Sequence, residues 1–379
     1  MCCGTAHKQH LSDKKIFSID LYKSKELLMN KSKRIGMVVM SAAVAAVGIA
    51  TFAACGGDDV TGKYTANDGT EITSNTVTVY MPSPTDLDDD LKAGFEEAYP
   101  GMTVNLWTGT TGEITAKLEA EAANPQADVI VLASWSDGLS MKEDDQIVSY
   151  KPANYDKMGD AMVDDDYMLY GTSASAVGVI YNTKSFPNGL DADWADFGTA
   201  AYADYAMEIP DPTKSGACKD FVAGFSTGVE NGDDIMQSWI DNGLANGGGN
   251  NPAIEAVKSQ QYDILIAGVD YNAYSAIADG ESIDFYYPES GTVINPRPAM
   301  IMKTAPHMDA AKLFMDYLLS EEAQELVADY YLIPGRTDVP CKDRTTIDQI
   351  PTYTTNWTSM MGVASEKAQW LVDAIAGKE

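Results

Sequence analysis

The chain has 379 residues, with 26 Lys and Arg against 56 Asp and Glu, three His and five Cys. A formal charge of −30 argues against nucleic acid and against attachment through a polybasic surface, since phosphate contacts need clustered Lys and Arg. Hydrophobic residues make up 45% and charged residues 22%, a folded rather than a disordered composition, and the length suggests about two domains.

Residues 1–28 fit no targeting pattern, and Met29 offers a second start, so 1–28 reads as a translated leader. Lys31, Lys33 and Arg34 then precede an apolar run from Ile35 to Ala54, and 29–54 reads as a secretory signal. A transmembrane anchor is the competing reading of such a run; the abrupt polar stop at Gly57-Asp58-Asp59 favours cleavage. Phe52-Ala53-Ala54-Cys55 resembles the lipobox of bacterial lipoproteins, with Phe52 in place of the usual Leu, and implies a lipid on Cys55. Residues 1–54 hold eight Lys and Arg and three Asp and Glu, so the processed chain carries 18 against 53, a net −35. His307 is then the one remaining histidine. Cys218 and Cys341 are left as a disulfide pair or as two separate thiols, and spacing does not decide between them.

Residues 55–75, rich in Gly, Asp, Asn and Thr, read as a flexible tether. Strands and helices then alternate. Val77-Thr78-Val79-Tyr80 is a strand, and 86–99 carries Leu87, Leu91, Phe95 and Ala98 at helical spacing behind an acidic first turn. A strand at 103–107, a helix from Gly112 to about Ala123 and an apolar strand at 128–132 follow. Such an apolar strand belongs to a parallel sheet covered on both faces. Further strands fall at 177–181, 206–209, 263–267, 283–287 and 299–302. Helices start at Gly216, near Pro252 and at Tyr271. A single long helix is expected over 309–330, and a last one over 363–376. The fold class is α/β with two sheets.

No Walker loop, paired-His zinc signature or Gly-x-Ser-x-Gly elbow occurs. The acidic runs at 86–90, 143–145 and 164–166 lack the alternating ligands and mid-loop Gly of a calcium loop, and read as solvated faces. No nucleophile–base pair is legible and no cofactor is expected, so the chain reads as a non-enzyme.

Several segments in this order resemble the extracellular solute-binding proteins of ABC importers, in the branch that takes ferric ion, sugar phosphates, phosphonates and thiamine. They are Gly109-Thr110-Thr111-Gly112-Glu113, Tyr181-Asn182-Thr183, Trp194-Ala195-Asp196-Phe197, the run 209–216 from Ile209-Pro210-Asp211-Pro212, Val269-Asp270-Tyr271, Asn295-Pro296 and the run 311–320. The resemblance implies a two-lobe periplasmic-binding-protein-like fold, each lobe a mostly parallel sheet flanked by helices, hinged by crossing strands. By analogy lobe 1 comprises 76–172 and 293–335, and lobe 2 comprises 173–292 and 336–379. Cys218 and Cys341 then share a lobe, which leans toward the disulfide. The implied partners are a small-molecule ligand, a permease and its ATPase. The implied state is a monomer held by lipid at Cys55 on the extracytoplasmic face of the membrane.

The ferric branch holds iron with a His or Tyr near the first strand and a Tyr-Tyr pair entering a helix. Here the first position falls near Pro84 and the pair reads Asp270-Tyr271, so iron, held by Asp270, Tyr271 and Tyr274, is the second reading. The leading one is an anion. Thr110, Thr111 and Gly112 open one helix, Ser215, Gly216 and Ala217 another, and free N–H groups at the positive end of a helix suit phosphate. Ser83 and Thr85 add hydroxyls after the first strand. Asp270 would then meet an ammonium or hydroxyl group, giving a small organic phosphate or phosphonate, such as an aminoalkylphosphonate or a sugar phosphate. A surface lipoprotein outside transport is the remaining alternative.

Overall fold

A computed structural model describes residues 60–82 and 84–378, with the side chain of Thr85 excepted. The leader, the signal and Cys55 lie outside the described residues. Strands β1 (Thr76–Met81), β2 (Thr103–Thr108) and β3 (Val129–Val131) form the parallel heart of lobe 1, with β1 in the middle. Helices α1 (Thr85–Ala98), α2 (Thr111–Ala120) and α3 (Trp135–Glu143) follow them in alternation. In lobe 2, β6 (Met207–Ile209) lies parallel to both β7 (Ala245–Asn246) and β8 (Ile264–Val269). Its helices are α4 (Gly216–Gly228), α5 (Gly232–Asp241), α6 (Asn250–Lys258) and α7 (Asp270–Ala278).

Two long strands join the halves. β5 (Tyr170–Asn182) is buried at every residue and rich in Gly, Ala and Ser, so neighbours close in on both of its faces. Up to Ala176 it pairs antiparallel with β10 (Ile294–Met302); from Val177 it pairs with β8 and β9 (Ile283–Tyr286). The hydrogen-bonded path therefore runs β2-β1-β3-β10-β5-β8-β6-β7, with the two short strands β4 (Ile147–Val148) and β11 (Ile333–Pro334) on β10 and β5.

Four expectations change. Residues 60–75 are not a tether: Val60, Ala66 and Ile72 are core residues, and Thr65 bridges Glu71 across a turn at Gly69. Asp316 fastens this arm by accepting from the Asn67 N–H at 2.9 Å, and Asp309 accepts from those of Thr73 and Ser74. The single helix over 309–330 is two, α8 (Met308–Leu318) and α9 (Glu321–Asp329), because Ser320 caps a new start by accepting from the Ala323 N–H. The last helix, α10 (Trp357–Ile375), begins a turn and a half early, where Asn356 accepts from the Ser359 N–H. Finally, Cys218 and Cys341 are free thiols. The Cys218 side chain points into the lobe 2 core and donates to the Pro210 carbonyl, away from any partner sulfur.

Among the buried side-chain atoms left without a hydrogen bond, one belongs to a carboxyl on β6. Glu208 on β6 is 1% exposed, and its Oε1 finds no hydrogen bond among the described residues. It lies beneath the turn leading into α6, where a Cβ on Gly247 would stand 2.5 Å from Glu208 Oε2. Burial pushes its carboxyl up to about 8 from an ordinary 4.5. The folded chain thus holds a proton that the unfolded chain releases, and the stability this gives is complete at low pH and lost as pH rises toward 8. Glu208→Gln is expected to melt about 2–4 °C above the parent at pH 9 and no higher than it at pH 5, read by thermal denaturation across that range.

Candidate functional site

A cleft of about 580 Å³ opens between the lobes. Its walls are helix beginnings. Pro84 and Asp86 come from the start of α1, Thr110 and Thr111 from α2, Ser215 and Gly216 from α4, Gly249 and Asn250 from α6, and Tyr271 and Asn272 from α7. Each strand ends at the cleft and hands the chain to a helix, so five positive dipole ends meet there. Asp86 and Glu113 supply opposing charge within two of these first turns, and Lys214 stands at the rim.

Two of the five starts, those of α2 and α4, carry side-chain caps, whereas α1, α6 and α7 begin without one. Thr110 and Glu113 form a capping box, with Glu113 N–H to Thr110 Oγ1 at 3.2 Å and Thr110 N–H to Glu113 Oε2 at 2.8 Å. Thr111 Oγ1 accepts from the Ala133 N–H at 3.0 Å, and Ser215 Oγ accepts from the Cys218 N–H at 3.2 Å. The lobes touch backbone to backbone here: the Gly112 N–H donates to the Lys214 carbonyl at 3.3 Å, and a Cβ on Gly216 would stand 2.6 Å from the Ala133 carbonyl carbon. Glycine at both positions permits that approach.

Of the residues singled out from sequence, Thr110, Thr111, Ser215, Gly216 and Tyr271 border the cleft. Gly112 spends its N–H on the opposite lobe, and Ala217 faces inward with 1% exposure. Ser83 lies outside the described residues, and Thr85 is placed only as the first residue of α1. Asp270 stands apart from a ligand role. Its Oδ2 accepts from the Ala176 N–H at 2.9 Å, from Arg344 Nη2 at 2.6 Å and from the Tyr287 hydroxyl at 3.0 Å, while Oδ1 accepts from the Tyr271 N–H. Neither Asp270 nor Arg344 exposes any side-chain surface. The carboxylate is saturated within the protein and has nothing left for an ammonium.

The iron set Asp270, Tyr271 and Tyr274 does not converge either. Residues i and i+4 share a helix face, so Asp270 and Tyr274 both turn toward the 344–345 segment, where Tyr274 donates to Thr345 Oγ1 at 2.9 Å. Tyr271 alone turns to the cleft, its phenol raised above the ordinary value by burial, with Arg297 beside it opposing that rise.

Asn250, Asn251, Asn272 and Ser275, which the sequence does not mark as ligand residues, also border the cleft, as does Tyr330, whose pair with Tyr331 falls outside the expected order of the ferric branch. A signal existed for the first two. Gly247-Gly248-Gly249-Asn250 reads as a turn, and the helix start marked by Pro252 makes that turn a helix N-terminus.

The family model described as bacterial extracellular solute-binding protein matches residues 124–360. The chain belongs to this family. Iron uptake protein A1 of Synechocystis sp. is 25% identical to this solute-binding protein over 349 residues, covering 83% of this chain and 89% of that one. Two solved structures share the fold. The periplasmic binding protein AfuA of Actinobacillus pleuropneumoniae, with fructose 6-phosphate bound, has a TM-score of 0.73 at 20% identity, covering 80% of this chain and 99% of that one. Iron-bound HitA of Pseudomonas aeruginosa has a TM-score of 0.69 at 18% identity, covering 79% and 99%. The protein is thus a substrate-binding protein of an ABC importer, with an extracytoplasmic place of work and a two-lobe α/β fold.

Asp270→Ala is expected to cost this solute-binding protein about 3–5 kcal/mol of stability, because it strands the buried Arg344 charge. Replacing both residues, as Asp270→Ala with Arg344→Met, should recover much of the loss. Chemical denaturation of the parent and the two variants measures it, and equal stability of parent and Asp270→Ala would refute the structural role of the buried ion pair.

Proposed function

We propose that the cleft takes a small organic phosphate whose remainder is hydroxylated, a sugar phosphate being the representative class, and that closure around it prepares delivery to a membrane permease and its ATPase. The observation that carries this is the meeting of five helix N-termini on one cleft, with Lys214 at the rim. A phosphoryl group offers three acceptor oxygens to such donors. The rest of the wall favours hydroxyls over a cationic tail. Asn250, Asn251, Asn272 and Ser275 both donate and accept, whereas Asp270, the carboxylate expected to meet an ammonium, is consumed by Arg344. An aminoalkylphosphonate therefore ranks below a sugar phosphate. That a structural neighbour holds fructose 6-phosphate supports the reading.

Iron remains the second reading, because Iron uptake protein A1 is a relative and the Tyr271 and Tyr330 phenols border the cleft with Asp86 and Glu113. Burial raises both phenols, and a hydrogen bond to Asp90 raises Tyr330 further, so forming tyrosinate for Fe(III) is costly. Cys55 is proposed as the lipid anchor and the protein as a monomer.

A thermal-shift panel tests the ligand. Fructose 6-phosphate at about a hundredfold excess over its dissociation constant should stabilise the fold by about 2.7 kcal/mol, with free fructose giving no shift. A shift with Fe(III), and none with any phosphate ester, would overturn the proposal in favour of iron.

A further inference from the structure

Beside the hinge, two helices of different lobes share a cap. α3 of lobe 1 starts at Trp135, and Ser134 caps it by accepting from the Asp137 N–H at 3.0 Å. Asp220 projects from α4 of lobe 2 toward the same cap and has no exposed surface. Its Oδ2 accepts from the Trp135 N–H at 2.7 Å, and its Oδ1 accepts from Ser134 Oγ at 2.9 Å and from Ser136 Oγ. One residue earlier on α4, Lys219 Nζ meets Asp137 Oδ1 at 2.5 Å. Neither lobe can make these bonds alone.

The other side of this loop is the cleft. Ala133 borders it and donates its N–H to Thr111 Oγ1, while its carbonyl accepts from Asn295 Nδ2 at 2.5 Å on crossing strand β10. The segment 133–136, which leads into α3, is thus held by the hinge through Asn295, by α2 through Thr111 and by the opposite lobe through Asp220.

We propose that Asp220 is a positioning residue for ligand capture: by capping α3 from the opposite lobe, it makes lobe closure and alignment of the Thr111–Ala133 edge of the cleft one event. This rests on reading the cleft as the ligand site, but the cap itself is tested without ligand. A carboxylate at the positive end of a helix, accepting one N–H and two hydroxyls, is a strong cap. Its reach is short. A hinge rotation that adds about 1 Å takes bonds of 2.7–2.9 Å beyond hydrogen-bonding range. Water then serves both partners, so the cap biases the lobes toward closure by a modest factor that ligand binding can complete. Burial pushes the Asp220 carboxyl up to about 7, with Ser136, Ser134 and Trp135 opposing the rise and Asp137 adding to it. A proton on Asp220 would not break the junction, since a serine hydroxyl can turn to accept it. Asp220→Asn is for that reason the conservative variant.

Hydrogen exchange on the full chain in detergent, free of ligand, provides the test. Asp220→Ala should speed amide exchange over 133–137 and 110–113 by about tenfold, while the β1 and β8 amides stay within about twofold. Asp220→Asn should restore most of the protection. Ser136→Ala, made from lobe 1, should raise exchange over 133–137 less, and the double variant should add little to Asp220→Ala, the signature of a shared bond. With fructose 6-phosphate as probe, Asp220→Ala should weaken binding by about tenfold, mainly through faster release. Uniform acceleration across the chain, or an Asp220→Asn as damaging as Asp220→Ala, would reduce Asp220 to ordinary core support and overturn the proposal. Unchanged exchange over 133–137 would overturn it too. Should fructose 6-phosphate fail to bind while the exchange pattern holds, the ligand reading falls and the cap stands.

Discussion

Asp270 holds the hinge. It takes the Ala176 N–H at the residue where β5 changes from the lobe 1 sheet to the lobe 2 sheet, and Arg344 answers its charge from the segment that follows the last strand of lobe 1. Arg344 also donates to the Tyr331 carbonyl at 2.5 Å, so a single guanidinium spans both sides of the pivot. With no surface exposed on either charge, parting them would strand an ion in the interior. The hinge therefore stays fixed at this point, and the motion of the lobes has to be absorbed by backbone rotations around it.

That fixed pivot is what lets helix ends do the recognising. The net −30 of the chain seems hostile to an anionic ligand, yet it is carried by exposed side chains that salt screens within about 10 Å. The dipole ends act at contact distance inside a cleft, where screening is weak. Thr110 and Ser215 cap two of these helix starts, while Pro84, Gly249 and Val269 offer no side-chain cap to the other three. A wall of this kind selects for charge and shape more than for any one side chain.

The sequence announced the repeating strands and helices because its apolar spacing is local: Val77 to Tyr80, Val129 to Val131 and Ile264 to Val269 are buried throughout or nearly so. It misled where composition stood in for packing. The Thr-rich, largely polar 60–75 looked unstructured, but three apolar residues and two carboxylates of α8 suffice to fix it. The cleft was partly legible, since the starts of α2 and α4 carry Thr and Ser caps. Asp270 was misjudged for a physical reason. A carboxylate beside a cleft and a carboxylate sealed against an arginine look alike until the partner, 74 residues away, is known. Asp220 gave no signal at all, its Trp135 contact lying 85 residues upstream on another lobe. α3 itself was missed, because Gly138 and two serines mask its periodicity.

The ordered N-terminal arm has a consequence for reach. Had 55–75 been a free tether, a lipid on Cys55 would have let the protein roam some tens of ångströms over the membrane. With Val60 already in the core, five residue steps separate the folded body from the proposed anchor, which bounds its reach at about 18 Å. So short a leash raises the local concentration of the carrier at the bilayer.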